Sequence, residues 1–137
     1  MNEVSDKDVL LNRVIRERAI LIGVVHHNQN RSVVQEYLDE LALLADTAGA
    51  DVVVKELQDK DRIDPATYIG KGKVDYLSQL VSDHHADLVI FDDDLSPAQV
   101  RNLENRCKVK ILDRSGIILD IFAKRAKTKE DKNQVEL

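Results

Sequence analysis

The chain has a single cysteine, Cys107, so no internal disulfide can brace it, and a reducing, cytoplasmic setting is expected. It has no tryptophan, and aromatic residues make up only 4%. That argues against a platform of rings for stacking single-stranded nucleic acid. Long apolar runs are also missing. The longest, Ala19 to Val25 and Ile117 to Leu119, are far too short to span a bilayer. Met1 to Asp8 is polar and acidic, so no secretory leader is expected. The net charge of −5 excludes a generally basic nucleic-acid surface. That charge is uneven, with +2 on residues 124–137 and −7 on the rest.

What is present suits one compact domain. The 137 residues are 43% hydrophobic and 33% charged, enough to bury a core. The run AILIGVV (19–25) reads as a strand buried on both faces. Ser32 and Gln35 have capping-box spacing, and Val34, Leu38, Leu41, Ala45 and Ala48 form one apolar helical stripe that Gly49 ends. A second strand is expected over 51–57, then an irregular stretch over 58–72, then a helix over 73–84. A third strand at 88–91 ends at Asp92-Asp93-Asp94. Ser96-Pro97-Ala98-Gln99 combines a cap, a first-turn proline and a box-closing glutamine, so a helix should run to about Arg106. A fourth strand (109–112) and a helix from Gly116 complete the alternation. Strand and helix alternating four times predict an α/β domain, a four-stranded, mainly parallel sheet flanked by helices with right-handed crossovers. Analogy with open doubly wound sheets favours strand order 2-1-3-4. The expected division is an N-terminal segment at 1–18, with Val9, Leu10 and Val14 as a short packing stretch, an α/β domain at 19–123, and the start of a further helical element at 124–137.

Gly70-Lys71-Gly72-Lys73 is the most conspicuous motif. The glycines permit close backbone approach, the helix that follows offers free N–H groups to an anion, and the lysines add charge. A phosphate-binding P-loop needs Ser or Thr after the lysine, and here Gly72 and Val74 follow. A Walker-type nucleotide site is therefore excluded, and a plain turn into a helix is the simpler reading. At the strand ends, the expected order would bring His26, His27 and Asn28 towards Asp92, Asp93 and Asp94. Such a crevice has the donors for a divalent metal or acid–base work, although aspartates satisfying loop amides explain it more simply. A response-regulator receiver is excluded, because it needs an acidic pair after the first strand and a fifth strand. His84 and His85 fit a helix end, and Cys107 a buried structural thiol. No catalytic constellation stands out, and no paired cysteines mark a zinc site. The tail Lys124 to Lys132 could touch RNA phosphates or form a solvated helix face.

Several stretches together resemble one family. They are Asp64-Pro-Ala-Thr-Tyr-Ile-Gly-Lys-Gly-Lys73, Phe91-Asp-Asp-Asp-Leu-Ser-Pro-Ala-Gln-Val-Arg-Asn-Leu-Glu104 and Leu112-Asp-Arg-Ser-Gly-Ile-Ile-Leu-Asp-Ile-Phe-Ala123. They are similar to the HflX family of GTP-binding proteins, and Glu40–Leu44, Ala48–Ala50, Arg125–Glu130 and Gln134–Leu137 fit as well. The resemblance implies an N-terminal α/β domain that would be followed by an antiparallel helical pair and a Ras-like G domain. It implies a parent protein that uses GTP and magnesium, binds the large ribosomal subunit and its RNA, and splits stalled ribosomes. No GTP hydrolysis and no cofactor are expected of this stretch alone. The resemblance favours the loop Tyr68, Gly70, Lys71, Gly72 and Lys73 as a contact with ribosome or G domain, with Arg114, Lys124 and Arg125 as secondary candidates. Two other functions compete. One is a stand-alone nucleotide- or metal-binding protein using His26, Asn28 and Asp92 to Asp94. The other is an oligomerisation piece pairing through Val135 and Leu137.

Overall fold

The computed structural model describes residues 16–60 and 62–136, the last helix beyond Lys124 as backbone apart from Ala126. The packing stretch expected at Val9, Leu10 and Val14, and the side chains of Arg125, Val135 and Leu137, lie outside the described residues.

Strand β1 (Glu17–His26) is followed by helix α1 (Arg31–Thr47), β2 (Ala50–Lys60), α2 (Lys71–His84), β3 (Leu88–Phe91), α3 (Pro97–Cys107), β4 (Lys110–Leu112) and α4 (Arg114–Glu136). All three pairings are parallel, and the strand order is β2-β1-β3-β4, as expected. Alternation along β1 supplies both faces of the sheet. Ile20, Ile22 and Val24 pack with Ile69, Val74, Leu77, Phe91 and Leu103 on the α2–α3 side. Ala19 and Leu21 pack with Leu38, Leu41, Ile90, Ile117 and Ile121 on the α1–α4 side. Gly23 is required by closeness, since a Cβ there would lie 2.9 Å from Leu57 Cδ2.

The differences from expectation fall at the element ends. Asn30, rather than Ser32, caps α1, accepting from the Ser32 amide at 2.9 Å, while Gln35 donates forward to Asp39. Asn30 takes the cap because an Asx side chain reaches the amide two residues on. Strand β2 extends to Lys60, well into the stretch expected to be irregular, because its last residues pair with Val24, Val25 and His26. Helix α2 begins at Lys71 and α4 at Arg114, each two residues earlier than expected. Asp113 accepts from the Gly116 amide at 2.7 Å, which explains the early start of α4. From there α4 runs unbroken to Glu136.

Candidate functional site

The loop between β2 and α2 is built as tightly as a secondary element. Asp64 and Tyr68 exchange backbone hydrogen bonds at 3.0 and 2.8 Å. The Asp64 carboxylate accepts from the amides of Ala66 and Thr67, and the Thr67 hydroxyl donates to the Ile69 carbonyl at 2.6 Å. Helix α3 then pins the loop from the side. Gln99 donates to the Asp64 carbonyl at 2.8 Å and Asn102 to the Ala66 carbonyl at 2.9 Å. The same Gln99 closes the capping box with Ser96. One helix start therefore holds both its own first turn and the neighbouring loop.

This frame holds Tyr68 at φ +66°, an uncommon conformation for a residue with a bulky side chain. The side chain is buried against Phe91 in an edge-on ring contact and reaches the strand ends. Its hydroxyl donates to Asp93 Oδ2 and lies 3.1 Å from His26 Nε2. His26 Nε2 is itself 2.8 Å from the same carboxylate oxygen. An ionised carboxylate can only accept, so the imidazole proton sits on Nε2. Burial, reinforced by the bond to Asp93, pushes the Tyr68 phenol far above its ordinary range. The phenol thus acts as a fixed donor, closed to nucleophilic or base chemistry.

The other two aspartates have different partners. Asp92, largely buried, binds Arg114 Nε at 2.7 Å, and Arg114 also donates to the Tyr37 carbonyl at 3.1 Å. Burial raises the Asp92 pKa against the pull of Arg114. Asp94 accepts from the Ser115 hydroxyl at 2.8 Å. The three carboxylates therefore meet a histidine, a tyrosine, an arginine and a serine, where loop amides were the simpler expectation. No group of residues suited to hold a metal occurs among the described residues. A crevice of about 290 Å³ beside them is lined by Val24, Gln29, Val34, Tyr37, Asp92, Asp93 and Arg114. Asn28 stands apart in the turn after β1, exposed, with φ +68°.

The glycine–lysine run lies at the other end of the pinned loop. Gly70 caps α2 without a side-chain bond, and Lys71, Gly72 and Lys73 form the exposed first turn. A Cβ on Gly70 would meet only the mobile end of Lys60, Nζ at 3.0 Å, and nothing stands within 4 Å of one on Gly72. Lys124 sits elsewhere, bound to the Ala48 carbonyl and to Asp120. His85 caps α2 in the left-handed region, and burial raises the pKa of the Cys107 thiol. Three participants were missed by sequence reasoning. Gln99 was read only as a cap, and Lys60 and Gln58 fell inside the stretch expected to be irregular.

Residues 35–123 match the model of the GTP-binding GTPase N-terminal family. The chain belongs to that family. It is 48% identical over 122 residues to the GTPase HflX of Caldanaerobacter subterraneus, covering 89% of this chain and 28% of the relative. Against the GTPase HflX of Flavobacterium psychrophilum it is 42% identical, covering 88% and 29%, and against that of Escherichia coli 39% identical, covering 88% and 28%. The chain thus spans less than a third of the length of these relatives, matching their N-terminal part. A GTP-binding protein of Sulfolobus solfataricus, solved with GDP, shares the fold at a TM-score of 0.59 and 20% identity, over 78% of this chain and 30% of that one. A variant of SsGBP does so at 0.62 and 21%, over 88% and 38%.

Proposed function

We propose that this domain docks its parent GTPase on the large ribosomal subunit and, through the same loop, conveys a restraint or stimulus to the G domain. The parent would bind GTP with magnesium and work in the cytoplasm. This stretch would perform no hydrolysis, since neither lysine of the run is followed by the Ser or Thr of a phosphate-binding loop. One observation carries the reading. Lys71 and Lys73 stand exposed in the first turn of α2, directly after a loop that α3 holds in place, and among the described residues neither has an ion-pair partner. Arg114 and Lys124 support it less, because their charges are engaged within the domain. The test is sedimentation of the chain with purified large subunits at two salt concentrations. Saturable binding that weakens with salt is expected. Absence of binding at both would sink the docking role and leave the domain an intramolecular regulator.

A further inference from the structure

The sheet has an open edge where its sequence is strongly apolar. Among the described residues, β2 pairs with β1 on one side and with nothing on the other. Its 11 residues include Val52, Val53 and Val54, all half-buried. A long edge with a run of β-branched residues is a template on which another chain can add a strand, so native proteins cover such edges or charge them. Here charge flanks the valines on both sides without interrupting them. At the start of β2 the Arg16 guanidinium donates to Asp51 at 2.7 Å, to Asp46 of α1 at 2.7 Å and to the Ala50 carbonyl at 3.0 Å. Beyond the valines, Lys55 pairs with Asp39 of α1 at 3.1 Å.

The two sets of ion pairs frame a window between β2 and α1. Asp39, Leu43 and Asp46 follow one another at spacings of four and three, so Leu43 shares the flank of α1 that carries the two paired aspartates and lies between them. Leu43 is 71% exposed. Ala42 and Val52 pack half-buried against the core beneath it. From Asp51 to Lys55 the window measures roughly 13 Å along the strand.

The chain enters this window at Arg16. Directly before Arg16 stand Val9-Leu10-Leu11-Asn12-Arg13-Val14-Ile15, five of seven apolar, with Arg13 the only charge. Seven residues reach roughly 23 Å when extended, enough to turn past Arg16 and run the length of the window. The segment is bonded to a residue already anchored at one end of the window, so it acts at a high effective concentration that no free partner has. Its one charge is positive, and the flank of α1 that it meets carries Asp39 and Asp46. We propose that Val9–Ile15 is a strap that lies over the outer edge of β2, seats its apolar side chains on Leu43 and closes this edge against pairing with another chain. The strap works near the starts of the strands, away from the loop before α2, and is independent of the docking reading.

The test combines limited trypsin digestion with hydrogen exchange on the 137-residue chain. Leu43→Asp alters an exposed side chain, so the fold should stay intact while cleavage after Arg13 quickens about tenfold. The amides of Val52 to Lys55 that are not bonded to β1 should exchange faster in that variant, and also in a chain lacking residues 2–13. Leu119→Asp, at a comparably exposed leucine on α4, should leave cleavage and exchange as they are. In sedimentation velocity the shortened chain should associate as its concentration rises, the open edge pairing with a second copy. Cleavage and exchange that match wild type in Leu43→Asp would overturn the strap, whether or not the shortened chain folds. Self-association of the intact chain that Leu43→Asp abolishes would overturn it too, because a second copy would then be the cover.

Discussion

The two ends of the loop between β2 and α2 treat charge in opposite ways. At the Tyr68 end, Asp93 holds a phenol and an imidazole, Asp92 holds Arg114, and Asp94 holds Ser115. At the Lys73 end, among the described residues, the ammonium groups of Lys60, Lys71 and Lys73 find no carboxylate, and the buried Gln58 amide finds no hydrogen-bond partner. The first end ties β1, β3, the loop and α4 together. The second is left with unsatisfied capacity. Polar groups that serve the fold are paired within it, while those kept for a partner remain open at some cost to stability. A perturbed titration at the first end is therefore structural, even though it lies at the strand ends where α/β proteins place their ligands.

The largest expected effect comes from breaking the paired end. Tyr68→Ala removes the ring packed on Phe91 together with the hydroxyl, and should destabilise the domain by ~3 kcal/mol in urea unfolding. A loss below ~1 kcal/mol would mean the corner tightens nothing. Tyr68→Phe keeps the ring and separates the hydroxyl from the packing, at ~1 kcal/mol near neutral pH. Its pH dependence is the sharper result. Burial and Asp93 raise the folded phenol above its ordinary value of 10.0, so the native state holds that proton more tightly than the unfolded chain. The stability this confers is complete below pH 10.0 and is lost as pH rises towards the folded value. The wild-type advantage over Tyr68→Phe should therefore be flat below that pH and shrink above it. An advantage that stays flat through that pH would show that the hydroxyl is exposed, its proton held no more tightly than in the unfolded chain.

The smaller steps concern what pins the loop. Gln99→Ala removes the bond to the Asp64 carbonyl and half of the capping box, a loss of ~1 kcal/mol. Hydrogen exchange should quicken at the Tyr68 amide, which donates to Asp64, and stay unchanged at Leu21 in the central strand. Equal acceleration at both would mean that loop and sheet open as one unit.

The legibility of this molecule in its sequence followed the same division. The sheet could be read because β1 is buried on both faces and because alternation of strand and helix leaves few topologies. The helix starts were less legible. Ser32 and Gln35 have box spacing, but Asn30 is close enough to take the cap first, and nothing in the spacing ranks the two. The end of β2 was hidden because an edge strand tolerates charge, so Gln58, Asp59 and Lys60 read as loop. The cluster of His26, Tyr68 and Asp93 was half visible. Strand order brought His26 to the aspartates, whereas Tyr68, 42 residues from His26, joins through a backbone turn that no periodicity announces. The start of α2 was legible only as glycines and lysines. The burial of Gln58 required the register of β2, which slips opposite Ala19 and Ile20, and only after that slip do Gln58 and Lys60 face α2.

The smallest effect on stability is expected at the open end, and there a null result carries the information. Lys71→Met and Lys73→Met alter exposed side chains without ion-pair partners among the described residues, so each should shift unfolding by less than ~0.5 kcal/mol. The same double variant should lose much of its affinity for large subunits, and the salt dependence of what remains should be shallower, because fewer counterions are released. A stable fold with weakened, less salt-sensitive binding would separate the two ends of the loop by function. If the double variant unfolded easily, the lysines would be serving the fold through contacts like those of Asp92 and Asp93, and the contrast between the two ends would disappear. If it stayed stable and bound subunits as before, the open charges would have no part in docking, and the contact surface would have to lie elsewhere on the domain.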